Sequence, residues 1–173
     1  MYKTVVFDLD GTLLNTLTDL ADAGNRLCRK YGWPTHERQA YRYFVGNGIP
    51  KLVERLAPAD QRTPAVLEAA LADFKRDYGQ HLRDTTAPYP GIPEMLAKLK
   101  ANGVQLAVFS NKADALAKEV VKDYFGTQYF TIVRGQMTGV APKPAAEGTN
   151  ALLQALHADP ASTLYVGDSN VDV

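Results

Sequence analysis

The chain has 173 residues, of which 46% are hydrophobic, enough to bury roughly 70% of its unfolded surface in a core, and this excludes a disordered protein. Lysine and arginine together number 19, and so do aspartate and glutamate. The net charge of zero therefore gives no overall electrostatic attraction to nucleic acid or to an anionic membrane. The single cysteine excludes an internal disulfide, and no apolar run approaches the roughly 20 residues of a membrane-spanning helix. We therefore expect a cytoplasmic protein with no nucleic-acid or membrane partner.

The first element along the chain is a short apolar strand. Thr4–Phe7 has the β-branched character of a buried parallel strand and runs directly into Asp8-Leu9-Asp10-Gly11-Thr12. Because side chains alternate along an extended backbone, Asp8 and Asp10 can face the same side, and Gly11 lets the chain turn after them. Such a pair can hold a hard cation such as Mg²⁺ and divide nucleophilic from acid/base work. A polar turn at a strand end explains the same five residues equally well.

The next part of the chain is helical. Residues 16–83 show helical periodicity in several pieces and no convincing strand, with breaks at Gly32-Trp33-Pro34, Gly46-Asn47-Gly48 and Ala57-Pro58. We therefore predict an inserted all-helical unit at 16–83, between two segments, 1–15 and 84–173, that form the sheet.

The rest of the chain alternates strands with helices. After a helix at 92–100, apolar strands are predicted at 105–109, 129–133 and 163–166, with helices at 113–124 and 145–157 between them. This alternation is typical of an α/β fold with a mostly parallel sheet.

Polar residues follow several of these strands. Ser110-Asn111-Lys112 comes after the second strand, Lys143 lies in the connection to the last helix, and Asp168 and Asp172 follow the last strand. Each has an ordinary explanation by itself, as a helix cap, a solvated loop lysine or a turn. Ligands of open α/β sheets, however, bind outside the carboxyl ends of the strands. We therefore expect these groups to converge on one crevice with the first acid pair.

These motifs, in this order, resemble the haloacid dehalogenase-like superfamily. Val45-Gly46-Asn47-Gly48, Tyr89-Pro90-Gly91-Ile92-Pro93-Glu94 and Ser110-Asn111-Lys112 are similar to its phosphoglycolate phosphatase branch. The resemblance implies a Rossmann-like catalytic core (1–15 and 84–173) with a helical cap (16–83). It also implies Mg²⁺-dependent hydrolysis of a small phosphorylated metabolite such as 2-phosphoglycolate, through an aspartyl-phosphate intermediate.

The resemblance also assigns roles to individual positions. Asp8 is expected to be the nucleophile and Asp10 the acid/base. The expected Mg²⁺ ligands are Asp8, Asp10 through its backbone carbonyl, and Asp168, while Asp172 would orient the groups around the metal. The residues expected to bind the substrate are Ser110, Asn111 and Lys143.

The sequence departs from this pattern in places. Asn15-Thr16 stands where relatives commonly carry Asp-Ser, and the chain ends at Val173, whereas relatives continue. We therefore expect the C-terminal part of the core to be missing. Other activities stay open: a phosphomutase or a dehalogenase of the same superfamily, or a phospho-accepting regulatory domain without enzyme activity. The substrate and the oligomeric state are likewise open.

Overall fold

The structure, a computed structural model, describes residues 2–172. The chain divides into two compact units. The sheet unit consists of the residues up to Asn15 and those from Pro88 onward, and the helical unit is Thr16–Ala87. Within the described range, no helix combines the length and the apolar character needed to cross a membrane.

The elements confirm the predicted α/β class. The strands in chain order are β1 (Thr4–Phe7), β2 (Leu14–Asn15), β3 (Ala87–Pro88), β4 (Gln105–Ala113), β5 (Ile132–Gln136) and β6 (Thr163–Val166). The α-helices are α1 (Leu17–Tyr31), α2 (Tyr41–Phe44), α3 (Ile49–Leu56), α4 (Pro64–His81), α5 (Ile92–Ala101), α6 (Asp114–Phe125) and α7 (Ala146–Leu156). Four strands form a parallel sheet in the order β5-β4-β1-β6, and β2 and β3 form a separate two-stranded sheet.

Strand β1 lies in the interior of the four-stranded sheet, and all four of its residues are buried. It pairs with β4 on one side and with β6 on the other, with Phe7 level with both Val108 and Val166. The three strands therefore end at the same edge. Any residue that follows Phe7 lies beside the residues that follow Val108 and Val166.

Strand β4 extends four residues beyond its predicted end at 109, and helix α6 begins at Asp114 rather than at 113. Its pairing with β5 shifts between Phe109 and Ala113, where four steps along β4 oppose two along β5. A side chain at Gly135 of β5 would overlap the carbonyl oxygen of Lys112, so this glycine lets the bulge close against β5. Bulges of this kind redirect side chains, and this one carries residues 110–112.

Strand β5 is displaced from its predicted position at 129–133. The aromatic residues Tyr129 and Phe130 favour a strand by composition, but Phe130 packs edge-on against Phe125 of α6, with ring centroids 6.0 Å apart. The pairing with β4 begins only at Ile132, opposite Ala107. The packing of Phe130 against α6 and the register with β4 thus outweigh the local preference.

The core on one face of the sheet joins its strands to α7. Buried apolar residues of β1, β4 and α7 form one cluster: Val6, Ala107, Phe109, Leu152 and Leu156. Leu152 and Leu156 lie four residues apart on one face of α7, the spacing that turns a helix face toward a sheet.

The helical unit retains the segment that leads back to the sheet unit. The buried carboxylate of Asp19, in the first turn of α1, accepts hydrogen bonds from the backbone N–H and the hydroxyl of both Thr85 and Thr86. The chain accordingly leaves this unit after Ala87, four residues beyond the boundary predicted at 83/84. The roles of the two units, core and cap, stay a prediction.

We expect Leu152→Ala to lower the free energy of unfolding by about 2–5 kcal/mol, because it removes a fully buried side chain from the contact between α7 and the sheet. Leu164→Ala is the control, since Leu164 of β6 is 37% exposed and therefore loses less buried area than the fully buried Leu152. Urea denaturation followed by circular dichroism measures both. Equal losses in the two variants would contradict this description of the core.

Candidate active site

Asp8 continues the line of β1 into the crevice at the edge of the sheet. Its backbone N–H donates to the carbonyl oxygen of Val166 (2.9 Å), and its side chain is buried. At Gly11 φ is +88°, and a Cβ there would overlap the carboxylate of Asp168. The hydroxyl of Thr12 donates to Asp168 Oδ1 at 3.1 Å. The first motif, which contains Gly11 and Thr12, therefore contacts the last motif, which contains Asp168.

Three carboxylates meet at this edge. Asp8, Asp168 and Asp172 each offer an oxygen atom, and these atoms all lie within 4.8 Å of one another. Asp8 Oδ1 is buried and has no hydrogen-bond partner among the described residues, so its lone pairs are available. Hard oxygen donors of this type suit Mg²⁺.

The charges of the crevice point to the same ion. The three clustered carboxylates of Asp8, Asp168 and Asp172 face the ammonium group of Lys143, which leaves an excess of two negative charges. A divalent cation balances that excess. The donor set and the charge therefore both fit Mg²⁺, although the carboxylate of Asp10 is not among the three clustered oxygens.

Lys143 connects Asp8 to the last motif. Its ammonium group donates to three oxygen atoms: Phe109 O (3.1 Å), Tyr165 Oη (3.0 Å) and Asp172 Oδ1 (2.6 Å). Asp8 Oδ1 also lies 3.0 Å from this nitrogen, but outside hydrogen-bond geometry. Since an ammonium has three protons and all three are committed elsewhere, Lys143 stabilises Asp8 by its charge and leaves the carboxylate oxygen free.

Burial and charge shift the pKa values of this group in opposite directions. Burial, opposed by Lys143, raises the pKa of Asp8 to about 6. Burial also acts to raise the pKa of Asp172, but the hydrogen bond and charge of Lys143 hold that pKa below its usual value. Burial alone would lower the pKa of Lys143, yet the nearby Asp8, Tyr165 and Asp172 raise it, so the ammonium is charged at neutral pH.

The bulge of β4 brings three polar side chains to the same crevice. Ser110 Oγ accepts from the backbone N–H of Lys112 at 3.3 Å, which leaves its own proton available to a ligand. Lys112 Nζ lies 3.0 and 3.3 Å from the two carboxylate oxygens of Asp10. The side-chain amide of Asn111 is directed to the backbone of Lys143.

All seven residues singled out from the sequence therefore lie at one edge of the sheet unit: Asp8, Asp10, Ser110, Asn111, Lys143, Asp168 and Asp172. Their catalytic and binding roles stay predictions. Lys112 was expected in this crevice together with Ser110 and Asn111, but without a role of its own. Two further residues of the site, Thr12 and Tyr165, received no role from the sequence, and nothing in the pattern of the last strand marks Tyr165.

The chain is similar to known proteins along almost its whole length. The family described as haloacid dehalogenase-like hydrolase matches residues 5–173. Phosphoglycolate phosphatase from Thiobacillus denitrificans is 32% identical over 170 residues, which cover 96% of this chain and 75% of the relative. Phosphoglycolate phosphatase from Chromobacterium violaceum is 33% identical over 174 residues, covering 99% and 78%. The crystal structure of a predicted phosphoglycolate phosphatase from Haemophilus somnus superposes with a TM-score of 0.88 at 28% identity, covering 99% and 79%.

The chain belongs to the haloacid dehalogenase-like hydrolase family. Within that family it falls in the phosphoglycolate phosphatase-like branch and is a phosphoric monoester hydrolase.

We expect Lys143→Ala to lower the free energy of unfolding by about 3–5 kcal/mol, because it leaves Asp8 and Asp172 as buried charges without their counter-ion. Lys118→Ala is the matched control. It removes a lysine from an exposed pair with Asp114, so we expect only a small effect. Urea denaturation at neutral pH measures both variants, and equal effects would contradict the importance of burial.

A second prediction concerns the pH dependence of stability in the metal-free protein. Between pH 3.8, the usual pKa of Asp8, and its raised pKa of about 6, the folded protein holds a proton that the unfolded chain releases. The stability contribution of Asp8 therefore falls as the pH rises through this window. Asp8→Asn does not titrate, so its stability relative to the wild type should increase from pH 4 to pH 6.5 by up to about 3 kcal/mol.

Urea denaturation in the presence of a chelator, repeated at several pH values, measures this difference. Asp60→Asn, at an exposed position of the helical unit, is the control and should show no such increase. A difference between Asp8→Asn and the wild type that stays constant with pH would contradict a raised pKa at Asp8.

Proposed function

We propose that this protein hydrolyses a small phosphate monoester, 2-phosphoglycolate or a compound like it, with Mg²⁺ and through an aspartyl-phosphate intermediate on Asp8. The observation that carries the proposal is the state of Asp8 Oδ1: it is buried, has no hydrogen-bond partner among the described residues, and lies 3.0 Å from the ammonium of Lys143. Similarity to phosphoglycolate phosphatases along almost the whole chain supports the choice of substrate class.

The first task of the site is to accept an anion beside acidic side chains. Lys143 supplies positive charge next to the nucleophile, and the hydroxyl of Ser110 has a proton to donate to a phosphoryl oxygen. Mg²⁺, with Asp8, Asp168 and the backbone carbonyl of Asp10 as the proposed ligands, would supply the remaining positive charge needed to bring a phosphate against a carboxylate.

The chemical steps then need only two carboxylates. A carboxylate oxygen of Asp8 forms a bond to phosphorus while the bond from phosphorus to the ester oxygen breaks, and Asp10 gives its proton to that leaving oxygen. In the second step Asp10 takes a proton from a water molecule whose oxygen attacks phosphorus. The bond between phosphorus and Asp8 then breaks and releases phosphate. Lys112, in contact with both oxygens of Asp10, orients this carboxylate.

The division of the chain fits the same proposal. Every residue named in these steps belongs to the sheet unit, which we propose to be the catalytic core, predicted at 1–15 and 84–173. We propose that the helical unit, predicted at 16–83, is the cap. We further propose a cytoplasmic enzyme whose partner is a small phosphorylated metabolite.

The test is phosphate release from a panel of small phosphate monoesters, including 2-phosphoglycolate and sugar phosphates, with Mg²⁺ and with a chelator. We expect one dominant substrate, loss of turnover with the chelator, and loss of turnover by at least about a thousandfold in Asp8→Asn, because an amide oxygen does not serve as the nucleophile. Circular dichroism checks that the variant is folded. Normal turnover by Asp8→Asn would refute the proposed nucleophile, and stable phosphorylation of Asp8 without release would favour a regulatory domain.

A further inference from the structure

The segment that carries Lys143 has little regular structure of its own. Residues 137–145 form turns and irregular backbone between β5 and α7. Lys143 stands between Pro142 and Pro144, and neither proline has a backbone N–H to contribute to hydrogen bonding. The lysine must nevertheless hold its ammonium at a fixed place in a buried cluster of oxygen atoms.

The side chain of Asn111 supplies hydrogen-bond partners for the backbone of Lys143. Its Oδ1 accepts from the backbone N–H of Lys143 at 2.8 Å, and its Nδ2 donates to the carbonyl oxygen of the same residue at 3.2 Å. Asn111 and Lys143 are 8% and 4% exposed, so both hydrogen bonds are shielded from water. Two opposed hydrogen bonds to one residue fix both its distance and its rotation, as in a strand pair.

The same stretch of β4 also holds the other end of the lysine. The carbonyl oxygen of Phe109 accepts from Lys143 Nζ at 3.1 Å, two residues before Asn111. The bulge thus fixes the backbone and the ammonium of Lys143 together. A shift of the backbone by about 1 Å would carry the ammonium away from Asp8 and Asp172, and displacements of that size can cost about a hundredfold in rate.

From this arrangement we infer that Asn111 is a positioning residue: its side-chain amide fixes the backbone of Lys143 and thereby the distance between the ammonium and Asp8. This positioning role differs from the role predicted for Asn111, which was a contact with the substrate. The consequence for turnover rests on the proposed function, whereas the consequence for the backbone of Lys143 does not.

The chain offers a matched control in the helical unit. Asn25 makes the same reciprocal pair with the backbone of His36, with its Oδ1 accepting and its Nδ2 donating, each at 2.9 Å. Asn25→Leu and Asn111→Leu therefore both remove such a reciprocal pair and keep a similar side-chain volume, and Asn25→Leu also removes the hydrogen bond from the Tyr41 hydroxyl to Asn25 Oδ1. Only Asn111→Leu acts on the segment that carries Lys143.

The first measurement is hydrogen exchange at the backbone amide of Lys143. Since both neighbours are prolines, this is the single exchangeable backbone amide of residues 142–144, and lysine labelled with ¹⁵N isolates it. We expect it to exchange at least about tenfold faster in Asn111→Leu and at the wild-type rate in Asn25→Leu. Unchanged protection in Asn111→Leu would overturn the inference, whatever the activity of that variant.

The second measurement separates positioning from substrate contact by kinetics with the substrate found in the phosphate-release panel. We expect Asn111→Leu to lower kcat by about 10- to 100-fold, and Asn25→Leu to leave kcat within about twofold. A rise in KM at unchanged kcat would show a substrate contact and overturn the inference. If the wild type releases no phosphate while the exchange result holds, the proposed function fails and the backbone contact stands.

Asn111→Asp makes the test independent of whether Asn111→Leu folds. The aspartate has nearly the same volume and keeps the acceptor for the N–H of Lys143, but it has no donor for the carbonyl oxygen. We expect the amide of Lys143 to stay protected in this variant and kcat to fall. Loss of protection here, or wild-type kcat, would count against the inference.

Discussion

The buried contact of Lys143 with Asp8 and Asp172 is the interaction on which the sheet unit depends. Its ammonium lies 3.0 Å from one carboxylate and 2.6 Å from the other, and all three side chains are almost completely buried. Two carboxylates taken out of water at this distance from each other would repel and would lose their hydration, and the lysine offsets part of both costs. Because its three protons go to other acceptors, it does so without blocking the free oxygen of Asp8.

The parallel sheet makes that contact possible between residues far apart in sequence. The pairing of β1 with β4 and with β6 ends at the same level, at Phe7, Val108 and Val166, so the side chains that follow these positions meet without long loops. Thr12 and Asp168, which hydrogen-bond at 3.1 Å, are 156 residues apart. The bulge in β4 also contributes to the site: it carries residues 110–112, where the ammonium of Lys112 contacts Asp10 and Ser110 Oγ accepts from the backbone N–H of Lys112.

The features that depend on a local sequence pattern could be predicted, whereas those that depend on contacts between distant residues could not. Thr4–Phe7 and Thr163–Val166 were predicted with the correct bounds, because each is a short apolar run that ends at acidic or glycine residues. The predicted end of β4 at Phe109 and the predicted position of β5 were wrong, since both features depend on pairing between strands. The site residues could be recognised from their motifs, but the contact of Asn111 with Lys143 depends on a bulge that no local pattern marks.

The interior position of β1 also bears on how the protein forms during translation. β1 is synthesised before both of its hydrogen-bonding partners, residues 105–108 and 163–166, which leave the ribosome only after about a hundred and about a hundred and sixty further residues. Contacts of such high sequence separation form slowly. Until the last motif emerges, β1 therefore lacks its partner on one side, and an unpaired apolar strand of this kind favours aggregation.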